Sequence, residues 1–180
     1  VLARRAVARA DVVVAVGRRM AADLSARAPE LGSTRIVTMP NPVDVPRLRA
    51  AAERSARPTP GRYALFVGKV ARHKGIAALV DMIARAPIGM PLAIVGDGPD
   101  RALIEDAARR QSVDLRVTGW VDPDVVFRWM HHAAVMIFPS DWQEPLSRTL
   151  IEASAIGVPI AAMDTGGTSD IVIHEETGLL

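Results

Sequence analysis

Two glutamates with seven residues between them, Glu144 and Glu152, lie in the stretch from Ser140 to Gly167, SDWQEPLSRTLIEASAIGVPIAAMDTGG. Pro145 directly follows the first. Proline suits the first helical position, where an N–H would have no partner. The sequence therefore predicts Glu144 at a cap and a helix from Pro145, stopped by Gly157 and Pro159. Leu146, Leu150, Ile151, Ala153 and Ala155 give that helix an apolar side. On it the two carboxylates would stand roughly 12 Å apart along the axis and about 80° apart around it. They could reach hydroxyls at two ends of one elongated ligand, with the N–H groups of the helix start between them as an anion site. Hydroxyls at both ends of a central anion describe a nucleotide-diphosphate sugar. The competing reading is a solvated helix with ordinary surface glutamates, and the flanking sequence weighs against it.

Lys69 and Lys74 flank a second stretch, KVARHKG, with Arg72 and His73 between them. A loop at a strand end with two lysines suits a diphosphate. It is not a P-loop, which needs Gly-x4-Gly-Lys-Ser/Thr. Gly96-Asp97-Gly98-Pro99 reads as a turn. Trp120 and Val121 follow a strand end, where a base could lie against apolar surface. His131 and His132 are adjacent on a helix and point to different faces. Asp141, Glu144, Glu152 and Asp170 lack the spacing partners of a metal site, so no metal is expected. Gly166-Gly167 precedes a helix capped by Thr168 or Ser169.

These residues need a scaffold that gathers them. From residue 61 onward, strands alternate with helices about five times. The expected strands begin at Tyr63 (YALFVG, ending at Gly68), Pro91, Leu115, Val135 and Val158. The helices are Ile76 to Ala84, Arg101 to Arg110, Pro123 to His132, the one from Pro145, and Thr168 to Ile173. The strands are continuous apolar runs, which indicates a parallel sheet covered on both faces. The fold class expected is α/β, a Rossmann-like parallel sheet. Ligands bind such sheets beyond the carboxyl ends of the strands, and Lys69, Lys74, the turn over 96–99, Trp120, Glu144 and Gly166-Gly167 fall in those loops. Before this unit come a basic helix over residues 1–10, a strand within Asp11 to Gly17, a helix from Arg18 to Arg27 and a strand from Arg35 to Met39. Val45 to Pro60 is polar, Arg-rich and Pro-punctuated, as in an inter-domain linker.

Composition narrows the classes. With 49% apolar residues in 180, a substantial core is available, which argues against disorder. A net charge of +2 and an aromatic content of 4% argue against nucleic acid. The chain has no cysteine, so disulfides and thiolate metal sites are excluded, which fits a reducing cytosol. No apolar run approaches the ~18 residues of a membrane span. The chain starts at Val1 and ends at Gly178-Leu179-Leu180, which reads as an internal piece of a longer protein.

Taken together, GKVARHKG, VGDGP, VTGWV, FPSDWQEPLSRTLIEASAIGVPIAAMDTGG and HEETGLL, in this order, resemble the carboxy-terminal donor-binding domain of retaining glycosyltransferases of family 4, which have the GT-B fold of two Rossmann-like domains. ADVVVAVGRRMAADL and RIVTMPNPVD are similar to the end of the amino-terminal domain and the start of the linker. The resemblance implies residues 1–44 as the tail of the amino-terminal domain, 45–60 as linker and 61–180 as the donor domain. It implies that Lys69, at a position usually held by Arg, and Lys74 contact the donor diphosphate, and that the Gly68 turn belongs to the same site. Glu144 matches the glutamate on the transferred sugar and Glu152 the one on the nucleotide ribose. The family pattern after the first glutamate is x-Phe-Gly-Leu; here Pro145-Leu146-Ser147-Arg148 stands there, and the backbone amides of Leu146, Ser147 and Arg148 take that role. Trp120 belongs to the donor-binding set.

The activity implied is metal-independent, cofactor-free sugar transfer with retention, from a UDP or GDP sugar. The acceptor would be a sugar, a lipid or a small molecule, bound mostly by the amino-terminal domain. The resemblance implies a cytoplasmic protein that leaves room for peripheral membrane association at full length, and a chain that alone transfers little or nothing. Two readings compete: a non-catalytic nucleotide-sugar binding subunit and a GT-B sugar-nucleotide epimerase.

Overall fold

The computed structural model describes residues 9–32, 34–54 and 56–180. Most of the basic helix expected over residues 1–10 lies outside them. The first unit is a parallel pair, β1 (Val12–Ala15) and β2 (Arg35–Thr38), joined through α1 (Arg18–Arg27). The second is a six-stranded parallel sheet. In chain order it comprises β3 (Ala64–Val67), α3 (Ile76–Arg85), β4 (Leu92–Val95), α4 (Arg101–Arg110), β5 (Leu115–Val117), α5 (Pro123–His132), β6 (Val135–Phe138), α6 (Arg148–Ile156), β7 (Ile160–Ala162) and β8 (Gly178–Leu179). Between the units runs α2 (Val45–Glu53).

The strand order is β5-β4-β3-β6-β7-β8. The chain winds outward from β3 in one direction, then returns to β6 on the other side of β3 and winds the opposite way. This reversal opens a crevice at the carboxyl ends of β3 and β6, where ligands of open α/β sheets bind. The central strands are apolar on both faces because helices cover both. Leu65, Ala93 and Met136 face one core with Leu48 of α2, Phe127 and Met130 of α5, and Leu150 and Ala153 of α6. Ala64, Phe66, Leu92 and Ile94 face the other, with Ile76, Leu79 and Ile83 of α3 and Ile104 of α4. Alternate residues of one strand supply the two cores. Tyr63, fully buried, closes the first core: its hydroxyl donates to the Trp129 carbonyl at 2.7 Å, and its ring meets the Trp129 ring edge-on at 5.2 Å. Burial pushes the Tyr63 phenol pKa up.

The structure corrects three local readings. The polar stretch from Val45 contains α2, whose Leu48, Ala51 and Ala52 are buried. Asp44 caps it, accepting from the Arg47 N–H at 3.1 Å, and Pro46 sits in its first turn. The helix expected from Pro145 begins at Arg148, and the one expected from Thr168 is a single 3-10 turn, Thr168–Asp170. Among the described residues no helix is long and apolar enough to cross a membrane.

Candidate functional site

The loops leaving β3 and β6 meet over the crevice. The first, 68–75, is stitched to the loop after β4: the Val70 N–H donates to the Asp97 carbonyl at 2.9 Å, and the Asp100 N–H to the Val70 carbonyl at 3.2 Å. It ends in the 3-10 turn Arg72–Lys74 and in Gly75, at a φ of +70°. A side chain there would place its Cβ 1.8 Å from the Pro139 carbonyl oxygen, just after β6. Glycine is thus required twice, for the left-handed backbone and for the contact between the two loops. Ser140 reinforces the contact, its hydroxyl donating to the His73 carbonyl at 3.4 Å.

That contact brings Lys74 and Glu144 together. The Lys74 Nζ donates to the Glu144 Oε1, and the two side chains are only 23% and 15% exposed. Burial lowers the Lys74 pKa from its ordinary value. Beside the pair the rings of His73 and Trp142 lie edge-on at 6.2 Å, with Trp142 exposed.

Why the helix does not start at Pro145 is visible in the backbone. The Glu144 carbonyl accepts from the Gly167 N–H at 2.7 Å, and the Gly166 N–H donates to the Gln143 Oε1 at 3.0 Å. The chain around Glu144 is thereby tied to the Gly166-Gly167 turn instead of coiling. Ser147 then starts α6, its buried hydroxyl accepting from the Leu150 N–H at 3.4 Å. Glu144 therefore stands off the helix and Glu152 on it, so the spacing expected for two carboxylates on one helix does not hold. Glu152 instead accepts from the Arg148 Nε at 2.9 Å; it is 14% exposed and Arg148 is 72% exposed. Leu146 is buried and lines a recess with Gly17 and Asp170. The N–H groups of Arg148 and Thr149 lie in the first turn of α6, where helix geometry gives them no partner.

A cleft of about 600 Å³ opens beyond β3 and β4. Gly68, Lys69, Gly96, Asp97, Trp120 and Val126 line it. Trp120 is 85% exposed, an apolar plane offered to this cleft. Asp97 is held below the usual carboxylate range by the Gly98 N–H and then by the Arg101 guanidinium, at 3.0 Å. Gly68, Lys69 and Trp120 thus share one cleft, while Lys74 and Glu144 form a pair one strand over; Glu152 lines neither this cleft nor the next. A second cavity, of about 480 Å³, has Glu144, Pro145 and Gly167 on one wall and Arg19, Asp23 and Arg27 of α1 on the other. Among the described residues, no group of three His, Cys, Asp or Glu side chains could hold a metal.

Sequence reasoning missed Gln143 and the role of Asp170, which binds the start of α1 through the Arg18 N–H at 2.5 Å and the Arg18 Nε at 3.0 Å. Only the Gly166-Gly167 signal pointed to that region.

The family description "Glycosyl transferases group 1" matches residues 61–180. The 2-deoxystreptamine N-acetyl-D-glucosaminyltransferase of Niallia circulans is 34% identical over 121 residues, 64% of this chain and 31% of that protein. The phosphatidyl-myo-inositol mannosyltransferase of Mycobacterium tuberculosis is 33% identical over 171 residues, 92% of this chain and 45% of that protein. The chain therefore spans less than half of each of these relatives. Among solved structures, the sucrose-phosphate synthase from Thermosynechococcus elongatus superposes with a TM-score of 0.82 at 27% identity, over 99% of this chain and 47% of that one. HepE from Anabaena, solved with UDP-glucose, gives 0.81 at 19% identity over 99% of this chain and 52% of that one, a likeness of fold.

Proposed function

Because the chain belongs to the group 1 glycosyl transferases, we propose that it carries the donor half of a retaining, family 4 glycosyltransferase, taking a sugar from a nucleotide diphosphate. Residues 61–180 form the donor domain in this reading, with 1–44 the end of the acceptor domain and 45–60 the connection. The observation that carries it is the Lys74–Glu144 pair at the strand-order reversal, next to the cleft of Lys69 and Trp120. An ammonium has three protons and a carboxylate two oxygens, so the two can pair and still each take a ligand group.

The base lies in the cleft against Trp120, with the Gly68 turn beneath it. The diphosphate crosses to Lys69, Lys74 and the amides of Leu146, Ser147 and Arg148 at the start of α6. Glu144 holds hydroxyls of the transferred sugar, and Glu152, released from Arg148, holds the ribose. As the bond from sugar to phosphate breaks, positive charge grows on the sugar and negative charge on the leaving phosphate. Lys69 and Lys74 stabilise the latter, which removes the need for a metal. The acceptor, a sugar, lipid or small molecule, approaches Glu144 from the side of α1.

Calorimetric titration with UDP, GDP and their sugar conjugates tests this reading. Binding of one nucleotide series, weakened by Lys74→Ala, is expected; no binding of any of them would overturn it. A non-catalytic binding subunit would bind the donor equally well and is separated from it by the absence of turnover in the intact protein.

A further inference from the structure

The amino end of α1 has no cap of its own. Gly17 occupies the cap position and carries no side chain. The missing group is supplied from the other unit, 152 positions along the chain: Asp170 Oδ2 accepts from the Arg18 N–H at 2.5 Å and from the Arg19 N–H at 3.4 Å, and Oδ1 accepts from the Arg18 Nε at 3.0 Å. A carboxylate at this point satisfies orphan donors and meets the positive end of the helix dipole. Gly17 has an extended φ of −146°, open to any residue, so only space forbids a side chain there. An added Cβ would stand 2.7 Å from Asp170 Oδ2 and 3.0 Å from the Pro145 carbonyl oxygen.

The carboxylate is joined to Glu144 by a short path. The Asp170 N–H donates to the Gly167 carbonyl at 3.1 Å, and the Gly167 N–H donates to the Glu144 carbonyl at 2.7 Å. Three hydrogen bonds therefore run from the start of α1 to the backbone of Glu144.

We propose that Asp170 is a positioning residue: it clasps the amino end of α1, fixes the first unit against the crevice, and through the Gly166-Gly167 turn sets the place of Glu144. The part that concerns Glu144 rests on the reading of that residue as the carboxylate for the donor sugar. The main-chain contacts carry the clasp. The Arg18 side chain is 76% exposed and Asp170 is 13% exposed, so the side-chain ion pair adds little.

The test uses the full chain, which has no cysteine, so two introduced ones label cleanly. Dyes on Ala22→Cys in α1 and Ala102→Cys in α4, both exposed, report the distance between the units by energy transfer. Asp170→Ala and Gly17→Ala, acting on opposite sides of the contact, should each lower the transfer efficiency. Asp170→Asn, which keeps one acceptor oxygen, should fall between them and the parent, and Arg18→Ala should match the parent. UDP or GDP affinity should fall far less in all four than in Lys74→Ala, because none of them touches Lys69, Lys74 or the cleft at Trp120. Unchanged transfer efficiency in both Asp170→Ala and Gly17→Ala would overturn the proposal. So would a loss of nucleotide affinity in Asp170→Ala as large as in Lys74→Ala, which would mean that Asp170 only holds its own turn together. If the parent bound neither nucleotide while the two variants still opened, the clasp would stand and the donor reading would fall.

Discussion

Lys74 and Glu144 are 70 positions apart in the chain and form an ion pair where the strand order of the sheet reverses. In the proposed reading Glu144 holds the transferred sugar and Glu152 the ribose, so their substitutions should differ. In the intact protein, Glu144→Ala is expected to lower transfer by on the order of 100-fold, as for loss of one preorganised polar contact, while leaving UDP or GDP affinity nearly unchanged. Glu152→Ala should instead weaken the nucleotide by about tenfold or more, the worth of a hydrogen bond to a charged group. Steady-state kinetics beside calorimetry separates the two; the opposite pattern would reverse the assignment of the ligand's ends.

Burial holds the Lys74 pKa below the ordinary lysine value. In the proposed reading the protonated form attracts the donor diphosphate, so affinity is full below this lowered pKa and falls as pH rises through it. The same shift makes the folded state bind fewer protons than the unfolded chain, so its cost to stability is present while the unfolded lysine is charged and shrinks on the alkaline side. In Lys74→Arg the alkaline limb of nucleotide binding should vanish, because a guanidinium does not titrate there. Calorimetry across pH 7 to 11 reads this out; an unmoved limb would assign it to another group.

Gly75→Ala forces a side chain into left-handed backbone, which alone costs roughly 1–3 kcal/mol, and into the Pro139 carbonyl. Chemical denaturation should show at least that loss. Because the collision pushes the two loops apart, nucleotide affinity should fall even under conditions where the variant remains folded. A stable variant with normal affinity would show that the loops do not depend on this contact.

Tyr63→Phe removes the donor to the Trp129 carbonyl and leaves that oxygen without its partner in the core. The expected loss is about 1–3 kcal/mol, read as a lower urea midpoint with an unchanged slope. Since Tyr63 lies in the core below the sheet's binding edge, nucleotide affinity should not move.

The sheet was legible because its strands are unbroken apolar runs and its helices start and stop on Pro, Asp and Gly; α4 and α5 occupy the very residues expected. The placement of the candidate residues was legible through the loops: Lys69, Lys74, Trp120 and Glu144 all lie past strand ends. What stayed hidden depended on contacts distant in sequence. Proline at position 145 carries a local preference for starting a helix, but the Gly167 N–H takes the Glu144 carbonyl and defers the start to Ser147. α2 was masked by its arginines and by Pro46, since only Leu48, Ala51 and Ala52 are buried. Asp170 carries no sign of its partner, because the clasp runs chiefly through the backbone N–H groups of Arg18 and Arg19.

α2 is bolted to the larger half: Leu48 enters its core, and the Arg49 Nε donates to the Ala155 carbonyl at 2.8 Å. α2 is therefore part of the six-stranded unit's packing, and β2 is joined to it by a short run that includes Pro40 to Asp44, two of them prolines. So short a run limits how far β1, α1 and β2 can move from α2. Deuterium uptake should accordingly be fast at Asn41, Val43 and Asp44 and slow within α2 beyond its first turn; rapid uptake through the whole of α2 would mean a longer and looser joint.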